Sequence, residues 1–204
     1  HQRKSEIDCQ ISSDFDEADL TAVNGTLSSF TGSGSSYTVV FTPTDDFEGT
    51  GSVTIANSVL TDPAGNPNES SSVDLTIDTL APSVTITSDK ASVGGNDGST
   101  VETATITFTL SEDSSDFTDS DITTTNGTLG LISGSGSTYS ATFTPDSDFN
   151  GTATIDVATS KFTDAAGNTN ITPGQGTVPV NTVRPTATIT SSPSTAIGGA
   201  NTAT

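Results

Sequence analysis

The chain has 204 residues, 25 acidic against 5 basic, for a formal net charge of -20 and a pI near 4.1. That field repels nucleic-acid backbones and anionic membranes and invites divalent cations, whose charge carboxylates can share. Hydrophobic residues reach only 30%, but their patterning argues against disorder, and a single cysteine, Cys9, excludes an intrachain disulfide.

In chain order, residues 1–10 carry Arg3, Lys4 and Cys9, and residues 6–11 alternate as a strand, with Cys9 packing beside Ile7 and Ile11. Asp14, Asp16, Glu17 and Asp19 gather acid without the Gly and terminal Glu spacing of an EF-hand. Asn24-Gly25 reads as a turn, Asp45, Asp46 and Glu48 as an acidic loop, and Asp62 with Gly65-Asn66 as a turn whose glycine permits positive φ. Asp78 stands just before Leu80-Ala81-Pro82. The next stretch predicts strand A over 84–88 and strand B over 104–110, with Ile106, Phe108 and Leu110 on one face. Strand C runs from Ile122 to a hairpin signal at Asn126-Gly127, strand D covers 128–132, and a Gly134-Ser135-Gly136 turn leads to strand E over 139–143. Strand F covers 153–158, strand G covers 176–180, and residues 187–191 repeat strand A. No segment shows a convincing helical period or a membrane-spanning apolar run, and no signal peptide is present. The lack of Met reads as a processed product or an excerpt.

A shift of 102 residues superposes the chain on itself. Asn24-Gly25-Thr26-Leu27 falls on Asn126-Gly127-Thr128-Leu129, Phe41-Thr42-Pro43 on Phe143-Thr144-Pro145, Tyr37 on Tyr139 and Asp62 on Asp164. A third copy opens at Arg184-Pro185. The chain is therefore expected to be all-β, with tandem immunoglobulin-like β-sandwiches of about seven strands in Greek-key order. The expected units are a first repeat over 1–79 that lacks its strand A, a complete repeat over 80–181, and the first strand of a third over 182–204.

The segments DITTTNGTL, GSGSTYSATFTP, FTDAAGNTN and IDTLAPSVTIT resemble the bacterial Ig-like repeats of very large secreted surface adhesins. The resemblance covers nearly all of residues 12–204; residues 1–10 depart from it and read as a scar, a natural junction or a divergent strand. It implies an extracellular extender rod whose domain junctions are stiffened by calcium.

The strand order itself places a cation. The B–C and F–G loops of one repeat meet the E–F loop of the repeat before it. At the first junction this gathers Asp78 from the linker, Glu112 and Asp113 from loop B–C, Asp164 and Asn168 from loop F–G, and Asp45, Asp46 and Glu48 from the other side. Calcium takes six to eight oxygen ligands, which loops of two domains can supply. Asp62 carries the same motif as Asp164, and the plain alternative for both is a self-capping turn. At the next junction Asn181 replaces Asp78, so an ion there should bind more weakly.

Catalysis finds no support. The one histidine is His1, and the paired carboxylates recur at turns of both repeats. Alternating Thr85, Thr87, Thr103, Thr105, Thr107 and Thr109 suit the solvent face of strands better than an ice-binding face. Three readings of partner and role stand: a calcium-stiffened stalk flanked by like repeats, a filament subunit whose last strand completes the next copy's first sandwich, and a ligand-binding module marked by a feature of one repeat alone.

Overall fold

The structure is a computed structural model that describes residues 15–95 and 101–190, together with the backbone pairing of residues 3–8. Expectations for His1, Cys9, Ile11, Asp14, Ser191 and the third-copy segment 192–204 lie outside the described residues.

The strands are β1 (Arg3–Asp8), β2 (Leu20–Val23), β3 (Gly25–Ser33), β4 (Ser36–Pro43), β5 (Glu48–Ile55), β6 (Ser71–Asp78), β7 (Val84–Ser88), β8 (Val93–Gly94), β9 (Ala104–Ser114), β10 (Ile122–Thr125), β11 (Gly127–Leu129), β12 (Ser133–Pro145), β13 (Asn150–Val157) and β14 (Gly174–Asn181). They form four sheets, ordered β1-β4-β3 and β2-β5-β6 in the first half, β11-β12-β9-β7 and β10-β13-β14-β8 in the second. All pairs are antiparallel except β14 with β8. Each half is a β-sandwich with its own core. Alternation along β9 and β12 turns Ile106, Phe108, Leu110, Tyr139 and Phe143 inward, onto Ile155, Val157 and Val178 from the opposite sheet. Phe41, Tyr37, Val39, Val53 and Ile77 repeat that arrangement in the first sandwich. Burying one such side chain stabilises its sandwich by roughly 1.5–3 kcal/mol.

Two expectations about turns are corrected. Asn126-Gly127 is not a hairpin, because β10 and β11 belong to different sheets and the chain crosses the sandwich there. Asn126 takes φ 58°, and its Nδ2 donates to the Thr152 carbonyl of β13 at 2.9 Å. Asn24 does the same, with φ 56° and a 2.8 Å bond to the Thr50 carbonyl. Asn tolerates the left-handed region, and its short amide can tie the crossing to the sheet left behind. The second correction is Gly134-Ser135-Gly136, which lies within β12 instead of before it. Positive φ at Gly134 and Gly136 lets the strand bulge and stay paired with Ser114.

A hydroxyl latch recurs at the end of each sandwich. Thr79 Oγ1 accepts from Phe47 N at 3.0 Å and donates to the Thr44 carbonyl at 2.7 Å. Thr182 Oγ1 accepts from Phe149 N at 3.0 Å and donates to the Asp146 carbonyl at 2.7 Å. Both pin the E–F loop to the residue that leaves strand G.

The halves differ at one edge. In the second, Val84 and Ile86 of β7 press on Gly174 and Gly176 of β14, where a Cβ would come within 2.5 and 2.6 Å of their methyls. In the first, Ser71 and Val73 of β6 hold the corresponding register positions opposite Ile55 and Val53, and Val73 is 45% exposed.

Candidate metal centre at the junction of the sandwiches

Asp78 is the last residue of β6, where the register sets it opposite Glu48. Glu112 is near the end of β9, and Asp164 lies midway along the loop between β13 and β14. The fold brings these three carboxylates together: one oxygen from each lies within 4.8 Å of the others. Asp164 is buried, Asp78 and Glu112 half-buried.

Asp164 is held by its own loop. Its Oδ1 accepts from Ala166 N, Gly167 N and Asn168 N at 2.8, 2.7 and 2.9 Å. Its Oδ2 accepts from Asn168 Nδ2 at 2.8 Å. The loop closes below on Asn170, fully buried, whose amide bonds Lys161 N and Phe162 N and the carbonyls of Ala158 and Thr172. Asp116 braces it from the side, accepting from Thr163 N, Thr163 Oγ1 and Ser114 Oγ. Burial acts to raise the Asp116 pKa, but these hydrogen bonds outweigh it and hold the carboxyl below its usual range. Sequence reasoning missed Asp116, and only its place one turn past β9 could have marked it.

Glu112 is the strained member. Its Oε1 is buried with no hydrogen-bond partner. Burial, then the charges of Asp78, Asp164 and Glu48, push its carboxyl pKa up. A buried acceptor left without a donor costs about 1–3 kcal/mol.

Asn168 joins the cluster through its amide, which also reaches Asp78 Oδ1 and the Asp78 carbonyl, each at 3.2 Å. Five residues expected near an ion lie outside the three-carboxylate group, Glu48 among them, opposite Asp78 in the register. Asp113 is exposed beside Gly136, where a Cβ would come within 3.1 Å of its Oδ1. Asp45 and Asp46 are exposed in the E–F loop, Asp46 with φ 52°. Asp62 caps its own turn, accepting from Ala64 N and Asn66 N at 2.9 Å each and from Asn66 Nδ2 at 2.8 Å. The Asn66 side-chain bond leads the causes that lower its pKa. The motif is thus a self-capping turn in both repeats, and only the copy at the junction meets other carboxylates. Asp16 and Asp19 likewise form a capping box on the 3-10 turn Glu17–Asp19.

Beside Asp78 a cavity of about 310 Å³ opens, lined by Phe41, Pro43, Leu75, Ile77, Gly167 and Asn168. An ion pair at 2.6 Å joins Lys90 to Glu102, ahead of β9 in the chain.

No curated protein matches the chain. The bacterial Ig-like domain family matches it twice, over residues 9–77 and 78–180. Those two spans cover most of the 204 residues and follow the two sandwiches, so the chain belongs to the bacterial Ig-like domain family.

Proposed function

We propose that the two repeats are non-catalytic extender modules in the stalk of a bacterial cell-surface adhesin, and that a calcium ion clamps their junction. The observation that supports this is the meeting of Asp78, from the first sandwich, with Glu112 and Asp164, from the second. Asp78, Glu112 and the Oδ2 of Asp164 offer up to five oxygens, and a half turn of the Asn168 amide would add a sixth, within calcium's usual six to eight. The ion would give the buried Glu112 Oε1 the partner it lacks and would tie the two bodies across their hinge. Among the described residues no helix is long and apolar enough to cross a membrane.

The test is calorimetric calcium titration of the whole chain, paired with small-angle scattering in calcium and in chelator. Saturable binding that is lost in Glu112→Gln, with a longer or stiffer particle in calcium, supports the clamp. Binding without any change of dimensions removes the stiffening role, and no binding removes the ion.

A second reading, the filament subunit, is favoured by the half-exposed Val73 and the outer edge of β1, which no described residue covers. A strand of the β7 type from a neighbouring repeat, of the same or an adjacent chain, would fit there. Light scattering on size-exclusion fractions separates the two: a ladder of oligomers indifferent to calcium puts the filament first.

A further inference from the structure

We propose that the cavity beside Asp78 is a socket for a branched aliphatic side chain followed by glycine, and that its occupant is Ile197-Gly198-Gly199 of a second copy of this chain. The claim deepens the filament reading and rests on it for the source of the occupant.

The second sandwich shows such a socket filled. There β8 adds a short parallel strand to the outer edge of β14, with Val93 opposite Val180 and Gly94 opposite Asn181. Val93 is 1% exposed and belongs to the core. The two glycines after it have separate reasons. A Cβ on Gly94 would come within 3.0 Å of the Asn181 carbonyl oxygen, and Gly95 takes φ 72°, in the left-handed region.

The first sandwich presents the socket without that strand. Its register sets Leu75, Ile77 and Asp78 of β6 where the second sets Val178, Val180 and Asn181 of β14. Among the described residues β6 ends its sheet, whereas β14 carries β8 beyond it. The 310 Å³ cavity opens at that place, where Leu75, Ile77 and Asp78 line it together with Phe41 and Pro43. An apolar pocket beside an unpaired strand edge is what strand addition requires: the backbone supplies affinity and the pocket selects the side chain.

The sequence names the occupant. In the second repeat Val84-Thr85-Ile86-Thr87-Ser88 leads to Val93-Gly94-Gly95, and in the third copy Ala187-Thr188-Ile189-Thr190-Ser191 leads to Ile197-Gly198-Gly199. Residues 191–199 lie outside the described residues. Seated in a neighbouring copy as β8 sits on β14, Ile197 stands opposite Ile77 and Gly198 opposite Asp78, and the Ile197 side chain enters the cavity.

The test has two arms. Light scattering on size-exclusion fractions follows self-association of the full chain. Fluorescence anisotropy follows a labelled peptide of residues 184–199 as it binds the full-length Ile197→Asp chain, whose own donor is disabled. Burying one branched aliphatic side chain is worth at least about tenfold in an association constant. Ile197→Asp, in the chain or in the peptide, should therefore weaken association by that factor or more, and Ile197→Val, which supplies the side chain of Val93, should retain it. Bound peptide should also slow amide hydrogen exchange over residues 75–79. Ile197-dependent binding of the peptide to a chain that stays monomeric keeps the socket and sinks the filament. Self-association that Ile197→Asp leaves unchanged keeps the filament and overturns the socket. A peptide that does not bind, or binds as well with Ile197→Asp, also overturns the socket.

Discussion

The Asn168 side-chain amide donates to Asp78 Oδ1 at 3.2 Å, joining two residues 90 positions apart. That bond runs from the loop of one sandwich to the last strand residue of the other. Asn168 also bonds Asp164, so one amide ties two of the three clustered carboxylates together across the junction.

Calcium should raise the thermal stability of the chain, and chelator should reverse the gain. At a free concentration a hundredfold above Kd the stabilisation is about 2.7 kcal/mol, readable as a shift in Tm by calorimetry. Asp78→Asn should shrink the shift, whereas Asp113→Asn, an exposed neighbour outside the cluster, should leave it intact.

Glu112 should set the pH dependence of that affinity. Its folded pKa is raised, so the folded state binds the proton more tightly than the unfolded chain does. The ionised form therefore carries a stability penalty above the folded pKa, which is relieved as pH falls through it. A proton also competes with the ion, so calcium affinity should weaken at a pH higher than an ordinary glutamate would dictate. In chelator, Glu112→Gln should be neutral or stabilising in denaturant titration; a clear loss of stability would contradict a carboxyl that burial and the charges of Asp78 and Asp164 push toward its neutral form.

Asn126 combines two costs that substitution can separate. Asn126→Ala forces a Cβ residue without a capping amide into φ 58° and should destabilise the second sandwich by about 2 kcal/mol. Asn126→Gly removes the backbone part and should lose less. Equal losses in urea melts would mean that the bond to Thr152 carries the whole effect.

Thr182 is 1% exposed, and its hydroxyl serves two backbone groups. Thr182→Val keeps the shape and strands both, which should cost about 1–3 kcal/mol. Thr182→Ser should retain most of the stability, and chemical denaturation of the two variants measures the difference.

Much of this protein is legible in one dimension. The 102-residue self-similarity, the alternation of Ile106, Phe108 and Leu110, and the excess of carboxylates establish an all-β tandem repeat of acidic surface, because strand period and turn chemistry are local properties. The same locality explains the errors. Asn126-Gly127 looks like a hairpin turn from its neighbours alone, yet which sheet each flanking strand joins depends on β12 and β13, far along the chain. Asp62 and Asp164 carry one motif and make the same turn, and nothing near either in sequence tells them apart. The second sandwich's own fold sets Asp164 beside Glu112, and only the docking of one sandwich on the next brings Asp78 to them, because the position of a carboxylate on another domain is fixed by the packing of whole domains.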